Sequence, residues 1–200
     1  MTRGRPRAFD PEAALDKALL VFWQKGYEGA SLSDLTDAMG ISRPSLYAAF
    51  GDKQALFRKA LDRYMAGPAG EPLTALEEIA DTRLAVDGFL RRTAASLTDR
   101  THPPGCLVVH GALSCSAESA PAAGALLDCR NAMEDRLRVR LERGIALGHL
   151  PDGTDAAALA RFYAAVMQGM AVQAKGGADR KALLAVADMA MNAWPATRTG

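Results

Sequence analysis

Apolar residues recur along this chain at helical spacing and almost nowhere in alternation. Leu15, Ala18, Leu19 and Phe22 stand at i, i+3, i+4 and i+7, one stripe of a helix. Asp10-Pro11-Glu12 ahead of them has the form of a helix start: a capping carboxylate, Pro at the first position and an acid in the first turn. Gly26 is placed to stop that helix. Ser31-Leu32-Ser33-Asp34 opens a second one, with a carboxylate three residues after a hydroxyl as in a capping box. Its apolar face is Leu35, Ala38 and Met39, and Gly40 ends it. Ser42 caps a third, short helix with Pro44 near its start, running through Tyr47 to about Phe50. Gly51-Asp52 breaks it, and Asp52 caps a fourth carrying Ala55, Leu56, Ala60 and Leu61.

Gly67-Pro68-Ala69-Gly70-Glu71-Pro72 is the clearest interruption, and a domain boundary or sharp kink is expected there. Helical spacing returns over about 73–80, 83–98, 106–117, 121–147, 155–175 and 179–194. Thr101-His102-Pro103-Pro104-Gly105, the stretch from Gly148 to Gly153, and Gly176-Gly177 punctuate it. With no alternating strand pattern and no internal repeat, the chain is expected to be all-α. The expected organisation is an N-terminal arm over 1–9, a helix-turn-helix domain over 10–64 and a second helical domain over 65–200.

Composition narrows the class. Of the 200 residues, 49 % are hydrophobic and 24 % charged, which argues against wholesale disorder. The net charge of +1 points to no polyanion by itself, and its distribution is that of a short basic arm joined to a nearly neutral body. Residues 1–63 hold ten Lys/Arg against eight Asp/Glu, and Arg3, Arg5 and Arg7 precede any acid. Cys106, Cys115 and Cys129, three in number and irregularly spaced, fit a reduced cytoplasmic protein better than a disulfide framework. An N-terminal apolar core and a membrane-length apolar run are both lacking, so a soluble intracellular chain is expected.

Residues 31–50, as helix, turn and short helix, make a helix-turn-helix whose second helix can lie in the major groove of DNA. Arg43, Ser45 and Tyr47, with Ala48 and Ala49, are the expected exposed positions, while Leu46 and Phe50 turn inward. Arg can donate two hydrogen bonds to guanine, Ser can reach bases or phosphate, and Ala methyls can touch thymine methyls. Lys53 and the amides at the start of the fourth helix are candidate phosphate contacts. The basic arm can track the backbone or enter a minor groove. The plain alternative is an ordinary αα corner with a solvated polar face.

Residues 9–64 resemble the N-terminal domain of the TetR/AcrR family of bacterial transcriptional regulators. The similarity rests on Ala18 to Gly29, on Ser31 to Leu35, and on the run from Met39 to Phe57. Within these, Gly26-Tyr27, Gly40-Ile41-Ser42, Leu46-Tyr47, Phe50 and Lys53 are the specific points. The resemblance implies that Arg43, Ser45 and Tyr47 are recognition-helix contacts, with Pro44 and Ala48 beside them. It implies that Lys53, Ser31 and Ser33 hold phosphates or a base edge. Ala48-Ala49 depart from the larger polar or aromatic residues of many relatives, which reduces the expected number of direct base contacts.

The same resemblance implies a C-terminal domain that binds an effector and dimerises through its last two helices, about 155–175 and 179–194. In the first of these, Leu159, Phe162, Tyr163, Val166, Met167 and Met170 follow helical spacing. Ala160, Ala164, Ala165, Gly169 and Ala171 occupy the other faces, so the helix reads as buried all round, one side on the core and another on a partner. Ordinary core packing is the plain reading of most of these positions.

Gly105-Cys106-Leu107-Val108-Val109-His110-Gly111 is similar to a Gly-Cys-Leu stretch that borders the ligand cavity in a subgroup of the family. Three readings of Cys106 compete. It is a small buried apolar residue, a thiol activated by a helix N-terminus or a cation such as Lys175, or a metal ligand with His110 and His102, for which no fourth ligand of recognised spacing appears. Helix faces and the resemblance together suggest a cavity lined by Phe89, Phe162, Tyr163, Met167 and Gln168, with Cys106 and His110 at its edge.

The expectation is therefore a homodimeric, non-enzymatic repressor without cofactor, released from a palindromic double-stranded DNA operator by a small molecule. A thiol sensor for electrophiles or oxidants acting through Cys106 is the variant of this reading. A small-molecule or metal-binding module without DNA activity is the alternative of another class. Against an enzyme, no nucleophile elbow, phosphate loop or zinc signature is present. Glu77-Glu78 and Glu134-Asp135 read as solvated charge.

Overall fold

The computed structural model describes residues 9–113 and 119–195. Arg3, Arg5 and Arg7 of the basic arm, and Cys115, lie outside the described residues. Among the described residues ten helices follow one another: α1 (Pro11–Gly29), α2 (Leu32–Met39), α3 (Arg43–Phe50), α4 (Lys53–Ala66), α5 (Gly70–Glu78), α6 (Thr82–Leu97), α7 (Leu107–Leu113), α8 (Ala120–Ala146), α9 (Ala156–Lys175) and α10 (Arg180–Met191). No strand occurs among the described residues, and the fold is all-α.

Side-chain caps set the helix starts. Asp10, Ser31, Ser42, Asp52, Asp81, Asp155 and Asp179 each accept a hydrogen bond from an amide of the first turn they precede. At Gly26 the backbone turns to φ 72°, ψ 178°, so the regular part of α1 ends where the sequence placed a stop. The interruption at Gly67–Pro72 is shorter than expected. The next helix begins at Gly70 rather than near 73, because Pro72 sits in its first turn, where its missing N–H costs no helical bond.

Helices α1 to α4 form a head around Phe22, Phe57 and Tyr27, whose rings meet at 5.0 Å between Phe22 and Phe57 and again between Tyr27 and Phe57. Leu35, Leu46 and Phe50 close the same core from α2 and α3. Ala38, expected on the apolar face of α2, is exposed instead, because α2 turns only Leu35, Thr36 and Met39 inward. Helices α5, α6, α8, α9 and α10 form the body. Two elements join the halves: α4 runs out of the head onto α5 and α8, and α1 packs on α7.

Candidate functional site

The turn between α2 and α3 rests on Gly40, which ends α2 at φ 69°, a left-handed conformation that suits glycine. The Ile41 N–H reaches back to the Thr36 carbonyl at 3.1 Å, closing the helix end. Ser42 then caps α3 through the Ser45 N–H. On α3, Leu46 and Phe50 are buried while Arg43, Pro44, Tyr47 and Ala48 are exposed, Tyr47 at 49 %. Ser45 and Ala49 are half-buried, and the Ser45 hydroxyl lies 2.9 Å from that of Ser42.

Around this helix the other candidates divide. The Arg43 guanidinium donates to the Ser33 hydroxyl at 2.8 Å, so both sit on the outer rim of the turn. Ser31 is committed to the α2 cap: its hydroxyl donates to Asp34 at 2.7 Å and accepts the Asp34 N–H at 3.0 Å. Lys25 pairs with the same carboxylate at 2.6 Å, and these bonds hold Asp34 well below the usual carboxylate range. The Lys53 ammonium lies 4.5 Å from the centre of the Tyr27 ring, and burial holds its pKa below the ordinary lysine value. At the start of α4, Asp52 accepts from the Ala55 N–H at 2.8 Å, so one of the first-turn amides is taken by the cap.

The body holds a second candidate site. Tyr64, Phe89, Thr93, Leu97, Cys106, Met133 and Met167 line an apolar cavity of about 20 Å³ between α4, α6, α8 and α9, room for little more than a water. Three expected residues meet there, Phe89, Cys106 and Met167. The others do not. Phe162 is 40 % exposed and lies on an outer surface near Pro151 and Pro195. Tyr163 is fully buried, but at the contact of α9 with α10, its ring against Trp194. Gln168 is half-exposed and His110 faces away, with its Nε2 3.2 Å from the Ala171 carbonyl. The His110 N–H donates to the Cys106 carbonyl at 3.1 Å across the first turn of α7, yet the two side chains line different spaces: Cys106 the inner cavity, His110 a cleft with Trp23 and Lys175.

The Cys106 thiol is buried, 3 % exposed, and burial pushes its pKa up, away from thiolate. Tyr64 and the amides of Val108 and Val109 are the groups that oppose this shift, and Lys175 is not among them. Lys175 acts on His110 instead, lining a cleft with it between α1 and the body. The metal set is also dispersed: the His102 ring stacks on Trp23 at 4.1 Å and its Nδ1 lies 3.0 Å from the Pro103 carbonyl. No cluster of three metal-ligating side chains occurs among the described residues.

Tyr64 and Trp23 had not been singled out from sequence. The Tyr64 hydroxyl lies on Cys106 and accepts the Leu107 N–H at 3.3 Å, and its ring meets Trp23 edge-on at 4.7 Å. The helical stripe Phe57, Leu61 and Tyr64, continuing to the end of the head, was the signal for it. Gly105 takes φ 86°, and a Cβ there would meet His110 Nε2 at 2.5 Å, so only glycine fits this loop.

Residues 14–60 match the family model for bacterial regulatory proteins of the tetR family, and residues 83–190 match the tetracyclin repressor-like C-terminal domain. The chain belongs to the TetR family. Among its TetR-family relatives, the HTH-type transcriptional repressor ComR of Escherichia coli strain K12 is 37 % identical over 198 residues, covering 97 % of this chain and 93 % of ComR. The TetR family regulator CifR, solved as a cysteine mutant complexed with a 26-bp double-strand operator DNA, is 47 % identical. It superposes with a TM-score of 0.93 over 96 % of this chain and 100 % of that one. A TetR regulator from Rhodococcus sp. RHA1 is 38 % identical, with a TM-score of 0.63 over 92 % of this chain and 98 % of its own. This TetR-family chain is accordingly a transcriptional regulator of the helix-turn-helix type. None of its described helices is long and apolar enough to cross a membrane.

Proposed function

We propose that the protein is a cytoplasmic, non-enzymatic repressor that binds a palindromic operator as a homodimer and is released by a small apolar or amphipathic effector. The observation that supports this most directly is the division of α3, with Leu46 and Phe50 anchored in the head and Arg43, Pro44, Tyr47 and Ala48 facing out. In this reading Arg43 and Tyr47 address base edges, Ala48 packs on a thymine methyl, and Pro44, Ser33 and Ser45 stand on the flanking backbone. Lys53 neutralises a phosphate, while Ser31 holds the entry of α2 rather than touching DNA.

Pairing uses α9 and α10. Each leaves an apolar stripe uncovered in the protomer: Ala158, Phe162, Ala165, Gly169 and Val172 on α9, and Ala182, Ala185 and Met189 on α10. Adjacent stripes of this kind are what a helix-bundle interface buries. The exposure of Phe162 thus has a role that a cavity lining would not give it. A two-fold pair places the recognition helices about 34–36 Å apart, one turn of DNA.

Release works through Tyr64. The cavity is far smaller than the roughly 300 Å³ of a ligand site, so an occupant must displace its walls. Tyr64 is one of these walls and lies on α4, the helix that leads into the head. An effector that binds the widened cavity better than the closed one shifts the population toward a different head spacing. Selection of bound sequences from random duplexes tests the proposal, with enrichment of a palindrome as the expected result.

A further inference from the structure

The apolar cavity adjoins a second space. An open groove of about 1050 Å³ runs between the α4–α5 turn, the end of α6 and the α9–α10 turn. Pro68 and Ser96 line both spaces. The Ser96 hydroxyl donates to the Pro68 carbonyl at 2.9 Å, so one partly buried hydrogen bond spans the wall that separates them.

The two spaces differ in chemistry. No charged residue lines the inner cavity, whose polar atoms are the hydroxyls of Tyr64, Thr93 and Ser96 and the Cys106 thiol. An ionised group would be costly there. The groove carries Arg100, Lys175, Arg180 and Lys181 against Glu71, Asp99 and Asp179. Two of these carboxylates are already used. Asp99 accepts the N–H and hydroxyl of Thr101, and Asp179 caps α10 through the Ala182 N–H. The four cations form no ion pair with a described residue.

We infer that the effector is an amphipathic organic acid, its apolar body in the inner cavity and its carboxylate among the groove's cations, entering between Pro68 and Ser96. This rests on the effector reading proposed above and adds the ligand's class and orientation. Met133 and Met167 are the walls that give way, since unbranched thioether side chains repack at low cost. His102 lines the groove and stacks on Trp23, so an occupied site is also sensed by the ring that joins head and body.

Titration calorimetry on the full-length dimer with octanoate, octan-1-ol and acetate tests the inference. Octanoate is expected to bind at least about tenfold tighter than octanol, because charge-assisted hydrogen bonds to Arg and Lys are added. Acetate, without a body to bury, is expected not to bind. The double variant Arg100→Ala/Lys175→Ala should erase the advantage of the acid while leaving octanol unchanged. Ser96→Phe, with unchanged circular dichroism, should abolish binding of both. Equal binding of octanoate and octanol, or an acid preference that survives the double variant, overturns the inference. Operator anisotropy with and without octanoate is read separately. If octanoate binds as described but leaves the DNA complex intact, the ligand class stands and the release mechanism fails.

Discussion

The indole Nε1 of Trp23 donates to the carbonyl of Gly105 at 3.0 Å, joining the head helix α1 to the loop before α7 across 82 residues of sequence. The bond is buried, and the same indole is held between the rings of Tyr64 and His102. Trp23→Phe keeps a ring but leaves the Gly105 carbonyl without this donor. A buried acceptor stripped of its partner costs about 1–3 kcal/mol. Urea unfolding should report a loss of that size, and effector-driven release from the operator should weaken more than operator affinity does. Unchanged release in a destabilised variant would show that coupling runs elsewhere.

Arg43 and Lys53 should fail in different ways. Arg43→Ala removes a base-edge donor and should cost about 1–3 kcal/mol at the cognate site with little effect on random DNA. Lys53→Ala should weaken both alike and lower the slope of log affinity against log salt by about one for each protomer. Anisotropy titrations of cognate and scrambled duplexes over a salt series separate the two.

At Gly169 a Cβ would meet nothing within 4 Å in its own protomer. Gly169→Leu should therefore leave the folded protomer intact, and should even favour the helix by up to about 1 kcal/mol. It should break a pair that packs on this stripe. Met189→Asp, at a position 70 % exposed, places a charge in the same interface. Sedimentation of either variant should show monomers, and operator binding should fall with the loss of the pair.

His110 sets a pH dependence. Burial, then repulsion from Lys175, hold its pKa below the ordinary 6.5, with the Ala171 carbonyl opposing them. The folded state therefore takes up its proton later than the unfolded chain as pH falls. The neutral form's stability is intact above about pH 6.5 and is lost as pH drops through the lowered folded value. Urea midpoints from pH 7.5 to 5 should decline over that window, and His110→Gln should flatten the decline.

The head was legible in detail because its signals are local. Asp10-Pro11, the Ser31–Asp34 box, Gly40 and Ser42 each act within one turn, and each does so in the structure. The body was legible as helices but not as a site. Phe162 and Tyr163 both belong to an apolar run, yet neighbouring residues on a helix point about 100° apart. They cannot both face one cavity, and in the fold neither does. Cys106 and His110 stand one helical turn apart, as their spacing predicts, but which space each side chain enters is set by α1, α4 and α9 packing around them. The reach of Tyr64 into the body depended on α4 running onto α5 and α8, a long-range packing fact that periodicity does not encode.

Operator recognition by a symmetric pair is decided by the footprint of the purified dimer on DNA selected from a random pool. The wild-type chain should protect a two-fold symmetric site whose half-site centres lie about 10 base pairs apart. The Arg43→Ala chain should lose that sequence preference. Binding without symmetry or sequence preference, equally strong in Arg43→Ala, would contradict it.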